Sequence, residues 1–383
     1  MEKTNKRMQD CRWPLLFATL TLYPIYTYSQ SVTSSEAAAL EQEGKLEEAA
    51  QAWTTVTKEN PKDAGAFASL GLVLSKEQKY AEAAVAYRRA IALTPKLPGV
   101  QLNLGLAEFK QEHFEAAIEP LRKALAADPQ SVQATMLLGL SCYGAKRFEE
   151  AGKYLAIAAA TDPNNTELLQ MLAQSCMLTK NFPCALEQFR KLQQLDPNSA
   201  AVHMFTGEAL DGQGKPDEAI AEFQVALKLA PREPGLNFAL GYLYWKTHRY
   251  DQAAAAFDTE LAIDPTSGQA LTYLGDIAMK KEDTEKALVL LREATQMQGG
   301  DIRLAYMDLG SILLDQKRYP EALSALEQAV KLDPDQTDAH FRLGRVYKLM
   351  GNDAAADNEF AKVRELKQKE DDLARKTDKS PAP

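Results

Sequence analysis

Apolar residues recur along this chain in paired bursts at helical spacing, as in Phe67, Leu70 and Leu74 followed by Tyr80, Ala83, Ala84 and Tyr87. Each pair of bursts predicts two amphipathic helices joined by a tight turn. The pairs repeat to a fixed ruler: Pro61, Pro95, Pro129, Pro163, Pro197, Pro231 and Pro265 stand 34 residues apart without a slip. A glycine follows ten residues after most of these prolines (Gly71, Gly105, Gly139, Gly207, Gly241 and Gly275), and an alanine twelve residues later (Ala83, Ala117, Ala151, Ala219, Ala253 and Ala287). Where Ala173 replaces the glycine, Leu172, Ala185 and Phe189 keep the register. A unit of this length cannot bury its own apolar face and must stack on its neighbours, which predicts an all-α solenoid. Proline suits the end of each second helix because it lacks an amide donor and forces the preceding residue out of the helical region. That preceding residue is the turn-former Asp at Asp128, Asp162, Asp196, Asp264 and Asp333. The glycine and the alanine mark places where helices cross closely, with Gly71 and Ala83 the expected pair.

These markers resemble the tetratricopeptide repeat, which one unit quotes almost in full as Leu240, Gly241, Tyr244, Tyr250, Ala253, Phe257 and Pro265. The resemblance covers about ten units, over residues 30–370, and the ankyrin signature Thr-Pro-Leu-His is absent. It implies a right-handed superhelical solenoid of stacked helix-turn-helix repeats. Two units depart from the pattern. The first has Ala37 at the glycine position, with Ala49 and Trp53 in place and a helix start near Ser34, Ser35 and Glu36, as befits an end unit. After Pro265 the register shifts by one residue around Gly299 and Gly300, then resumes at Gly310, Ala322 and Pro334. That irregularity reads as a loop insertion, with a hinge between the eighth and ninth units as the sharper alternative.

Residues 1–29 fall outside the repeats. Lys3, Lys6, Arg7 and Arg12 precede an apolar run from Leu15 to Tyr28, and Thr27 and Ser29 offer small residues for cleavage. This reads as a secretory signal peptide, although Pro14 and Pro24 interrupt it; an uncleaved membrane anchor is the alternative. At the other end, residues 371–383 read as a charged cap and disordered tail, closing on Lys379, Ser380, Pro381, Ala382 and Pro383.

The formal charge of −9 makes nucleic acid an unfavourable ligand. Past the leader three cysteines remain, Cys142, Cys176 and Cys184, an odd number that excludes a full disulfide framework. Three small core residues is the favoured reading; Cys176 and Cys184, which flank one turn, are the pair that could bond. The four histidines, His113, His203, His248 and His340, have no metal-ligand spacing. No phosphate-cradling loop or nucleophile elbow occurs, so neither cofactor nor catalytic centre is expected.

The resemblance implies a concave wall lined by the first helix of each unit. Carried over position by position, it assigns Leu102, Leu106, Phe109, Met136, Leu140, Tyr143, Met177, Met204, Glu208, Asp211, Phe238, Tyr242, Trp245, Asp276 and Met279 to a partner-binding groove, continuing through Met307, Ser311, Leu314, Phe341, Arg345 and Lys348. The family's carboxylate clamp is not expected, because Leu102, Leu106, Met136 and Leu140 stand where its Lys and Asn belong. Phe109, Tyr143, Met177 and Trp245 share one groove position; an apolar wall of this kind suits a protein partner, unless neighbouring first helices bury it. The aromatic residues Phe238, Tyr242 and Trp245, flanked by Glu208, Asp211 and Asp276, point to a protein or peptide with apolar and basic residues. The expected function is a non-catalytic exported scaffold, periplasmic or secreted; in a bacterium it would serve in the periplasm, in assembly or quality control of envelope complexes. A regulatory or holding subunit of an enzyme complex is the alternative, and a small-molecule carrier or enzyme a remote one.

Cleavage after Ser29 would start the mature protein at Gln30. Mass spectrometry of the native protein should find that terminus, and soluble protein retaining Met1 would contradict export.

Overall fold

The computed structural model describes residues 32–297 and 302–378. The leader, the irregular loop at 298–301 and the final residues 379–383 lie outside the described residues. Among those described there are twenty helices and no strand. They fall into two compact units, residues 32–215 and 216–378.

The first unit comprises α1 (Val32–Gln42), α2 (Leu46–Glu59), α3 (Ala64–Lys76), α4 (Tyr80–Leu93), α5 (Val100–Lys110), α6 (Phe114–Ala127), α7 (Val132–Gly144), α8 (Phe148–Thr161), α9 (Thr166–Leu178), α10 (Phe182–Leu195) and α11 (Ala200–Gly212). The second comprises α12 (Pro216–Leu229), α13 (Leu236–Lys246), α14 (Tyr250–Ile263), α15 (Gly268–Lys280), α16 (Thr284–Gln296), α17 (Arg303–Asp315), α18 (Tyr319–Leu332), α19 (Thr337–Leu349) and α20 (Asp353–Asp378). Within each unit consecutive helices pack on one another in chain order, so that odd helices are first helices and even ones second helices of the repeats.

Helix ends are fixed locally. Asp63, Ser131, Asn165, Ser199 and Ser267 each accept a hydrogen bond from the backbone N–H three residues on, capping α3, α7, α9, α11 and α15. At the far end of the repeat, the side chains of Asp128, Asp196, Asp264 and Asp333 accept from the N–H two residues later, across the intervening proline. The Asp-Pro marker is therefore a side-chain-closed turn. Between paired helices one residue takes the left-handed conformation in every repeat. It is glycine at Gly44, Gly214 and Gly351, but Gln78, Glu112, Lys146, Lys180, His248, Glu282 and Lys317 hold the same place at φ of 58–63°. The turn is set by tertiary packing strongly enough to hold non-glycine residues where L-amino acids are disfavoured.

The crossing inside each repeat corrects the expected glycine–alanine pairing. A Cβ on Gly71 would stand 2.6 Å from the Tyr87 ring, not against Ala83. The same holds for Gly105 and Leu121, Gly139 and Leu155, Gly241 and Phe257, Gly275 and Leu291, Gly310 and Leu326, and Gly344 and Phe360. In each pair a large side chain sixteen positions downstream lies in the space that the glycine leaves. The alanine four residues before it is buried as well, Ala83, Ala117, Ala151, Ala253, Ala287 and Ala322 being fully enclosed. A second, unforeseen contact of this type ties neighbouring repeats: a Cβ on Gly144 would meet Phe114, and one on Gly212 would meet Phe182.

The fifth repeat, where Ala173 stands for the glycine, carries a disulfide between Cys176 of α9 and Cys184 of α10. This overturns the reading of three packed thiols: the two residues flank one turn at a Cα separation of 5.8 Å, within bonding range. Among the described residues Cys142 is the one free cysteine; it is buried, and burial pushes its thiol up to about 11. His203 and His340 each hold Nε2 against the carbonyl oxygen of the proline six residues earlier, Pro197 and Pro334, at 3.2 and 2.9 Å. At the C-terminal end α20 continues through the charged cap to Asp378. Ala356, Val363 and Leu366 are buried on its inner face.

Gly241→Leu drives a branched side chain into the Phe257 ring, 2.8 Å from the built Cβ. Overpacking of this kind costs about 1–3 kcal/mol or more, and in a near one-dimensional array it should broaden denaturant unfolding or split it into stages. Unfolding indistinguishable from the parent would contradict the assigned crossing.

Candidate functional site

The site is built on α13, and its position depends on a buried acid. The N-cap of α13 is Gly235, which is left-handed (φ 86°) and offers no capping side chain. Glu260 of α14, 3% exposed, supplies the missing acceptor, taking hydrogen bonds from the N–H groups of Gly235 (2.7 Å) and Phe238 (3.2 Å). An acid at a helix N-terminus satisfies free amides and complements the helix dipole. This fixes the first turn of α13 and with it Phe238, while the Gly241–Phe257 contact fixes the next turn.

From this frame Phe238, Tyr242 and Trp245 rise on one helix face and are half-buried. They do not act alone. Tyr273 of α15, absent from the sequence-derived groove, joins all three: its ring centroid lies 5.8 Å from Phe238, 5.7 Å from Tyr242 and 4.9 Å from Trp245. It also stacks on Phe257 at 5.4 Å, and Tyr242 stacks on Trp245 at 5.9 Å. Five rings thus form one cluster, only Phe257 being fully enclosed. Offset and edge-to-face contacts at these distances hold rings rigidly.

The polar edge of the cluster is tied as well. Trp245 Nε1–H donates to Asp276 Oδ2 at 2.5 Å, and Asp276 Oδ1 lies 3.4 Å from Lys280 Nζ. Asp276 is 8% exposed. It is therefore an internal partner of the indole and not a free carboxylate on the rim. Glu208 and Asp211 belong to the first unit, where both are half-buried and Glu208 has its carboxyl raised by burial. The cluster of the second unit is described without them.

The rest of the sequence-derived groove divides by exposure. Leu102, Leu106 and Leu140 are 5%, 5% and 1% exposed, so these three are packing residues and present no open wall. Ser311 and Leu314 are buried likewise. Phe109, Met136, Tyr143, Met177 and Met204 in the first unit and Met279 and Met307 in the second are half-buried. Phe109 and Tyr143 share a repeat position with Trp245 but lean edge-on against Phe114 and Phe148 at 5.7 and 5.8 Å. The Tyr143 hydroxyl also donates to Gln174 at 2.5 Å. Phe341, Arg345 and Lys348 of α19 are exposed. Tyr273 occupies the position two before the repeat glycine, and the one signal for it was Phe205 at the same place, stacked on Phe189 at 6.0 Å.

Among the described residues no group of His, Cys, Asp and Glu side chains is arranged to hold a metal ion, and no helix is long and apolar enough to cross a membrane.

Comparison with known proteins bears on what such a wall belongs to. Among curated proteins the chain is similar to anaphase-promoting complex subunit 3 of Schizosaccharomyces pombe, 29% identical over 35% of this chain and 20% of that protein. It is also similar to the BBSome complex member bbs-4 of Caenorhabditis elegans, 27% identical over 38% of this chain and 31% of that protein. A TPR repeat-containing protein of Treponema pallidum is 34% identical over 23% of this chain and 11% of its own length. The chain thus corresponds to a minor part of each of these relatives. Among solved structures, the Cut9–Hcn1 hetero-tetramer of the APC/C aligns over 87% of this chain and 80% of that one, at 14% identity and a TM-score of 0.48. YrrB, described as a TPR protein with an unusual peptide-binding site, aligns over 48% of this chain and 94% of its own, at 22% identity and a TM-score of 0.41. Two family models described as tetratricopeptide repeat match residues 102–166 and 238–302, and 142–208 and 212–259; a third, described as TPR repeat, matches 74–112 and 310–351. With these matches spread along the same 34-residue ruler that spaces its glycines and prolines, the chain belongs to the tetratricopeptide repeat proteins.

Proposed function

We propose that this chain is a non-catalytic adaptor that holds a segment of a partner protein against the first helices of its second unit, through the ring cluster of α13 and α15. The observation that carries this reading is the cluster itself: Phe238, Tyr242, Trp245 and Tyr273 remain half-exposed although each is held by its neighbours. Rigid, partly exposed aromatic surface binds at little cost in side-chain entropy, and Trp and Tyr are enriched among residues that dominate interface energies. Met279 and Met307, half-buried on α15 and α17, add adaptable apolar area. The segment best suited to this surface has apolar anchors and basic residues, because a cation is attracted to aromatic faces. The names of the sequence relatives, a subunit of the anaphase-promoting complex and a member of the BBSome complex, support a role within a protein assembly.

Export belongs to the same proposal. The basic and apolar pattern of residues 1–29 supports it, and so does the Cys176–Cys184 bond, since disulfides persist chiefly in oxidising compartments. In a bacterium this adaptor would work in the periplasm, in assembly or quality control of envelope complexes.

Mature protein used to capture partners from its own envelope fraction tests the reading. Trp245→Ala should weaken that capture by about 2 kcal/mol or more, with helix content by circular dichroism unchanged. Equal capture by the variant would make this wall structural.

A further inference from the structure

Asp308 of α17 lies one position beyond Met307, at the same repeat position as Tyr273 and on the next first helix of the wall. It is 6% exposed, and its Oδ2 is buried with no hydrogen-bond donor. Buried carboxylates are ordinarily paired or fully hydrogen-bonded, so an orphan oxygen here calls for an explanation. Burial pushes the Asp308 carboxyl up to about 7, the Asp276 charge of α15 pushes the same way, and Arg342 of α19 and Lys280 of α15 act against both. Neither cation is committed to Asp308. Lys280 sits beside Asp276, and Arg342 donates to Ser311 Oγ. Three successive first helices thus bring together two interacting carboxylates, one with a buried oxygen that lacks a donor, next to an indole and a phenol ring in contact.

We infer that Asp308, beside Asp276 and the Trp245–Tyr273 rings, receives one cationic side chain, a Lys or Arg, of the bound segment. This rests on the reading that the second unit's wall holds a partner segment, and it names where the segment's charge must fall. A guanidinium or ammonium group supplies the donor that Asp308 lacks, offsets its repulsion with Asp276 and can lie against an aromatic face. Only the ionised carboxylate attracts the cation. Protonation therefore competes with binding on the acid side of the Asp308 titration, and affinity should rise from about pH 6 to about pH 8, by roughly tenfold per unit on the acid limb.

The test uses the mature protein and a small probe, so it does not depend on knowing the partner. N-acetyl-arginine amide is titrated while the Trp245 indole N–H signal, hydrogen-bonded to Asp276, is followed by nitrogen-15 NMR, with N-acetyl-glutamine amide as the neutral control. The arginine probe should shift that signal saturably and with the stated pH dependence, the glutamine probe should not, and Asp308→Asn should weaken binding by roughly tenfold and flatten the pH profile. A flat profile in the parent, or arginine and glutamine probes that bind alike, would overturn the assignment without any variant. Capture of partners that is lost in Trp245→Ala but unchanged in Asp308→Asn would sink this inference alone and leave the adaptor reading standing.

Discussion

The contact on which the fold depends is the close crossing inside seven of the repeats, where a Leu, Phe or Tyr occupies the volume left by a first-helix glycine sixteen residues upstream. Because no Cβ stands in the way, the two helix axes approach until the ring or branched side chain fills the gap, as Tyr87 does over Gly71 and Phe257 over Gly241. Everything else in the repeat accommodates that approach. The buried alanine one turn earlier keeps the second helix close, and the left-handed residue between the helices returns the chain in a minimum of length. The Asp-Pro turn then closes the unit and passes the chain on. Repetition of one local solution is what lets each helix pair bury its apolar face on the next.

The ring cluster grows from this constraint. Phe257 serves twice: one side of its ring fills the space beside Gly241, and it also stacks on Tyr273. The packing that holds the repeat together therefore also holds Tyr273 upright between Phe238, Tyr242 and Trp245. Glu260, buried one turn beyond Phe257 on the same helix, fixes the start of α13 in place of an ordinary capping side chain. Rigidity of the candidate surface is inherited from the core, the arrangement expected where binding residues sit on regular elements and not on loops.

Periodicity made the helix pairs, their turns and their register legible, because a marker that recurs every 34 residues is read many times over. Position-specific partners were less legible. The glycine was paired with the alanine twelve residues on, since both are small, whereas the complementary partner is the large residue one turn later. The left-handed turn position went unread because seven of its ten occupants are not glycine. Tyr273 and Asp308 escaped because the position two before the repeat glycine varies freely, through Asn103, Leu137, Met171, Phe205 and Ala239, and so carries no pattern. The groove assignment placed Phe238, Tyr242 and Trp245 on one half-buried face, but it could not foresee that Leu102, Leu106 and Leu140 are enclosed or that Asp276 serves the indole. Nor could spacing decide whether Cys176 and Cys184 bond, since a turn of that length brings thiols near without fixing their side-chain directions.

Central to the proposed function is that partners meet the first-helix wall of the second unit and not its second helices. Photo-crosslinking within the native envelope fraction tests this directly, with the reactive side chain placed at Met279 of α15 or, for comparison, at Val289 of α16, which is 65% exposed. Position 279 should yield a discrete crosslinked partner and position 289 none. The same partner crosslinked from position 289 alone, or equally from both, would contradict the proposal.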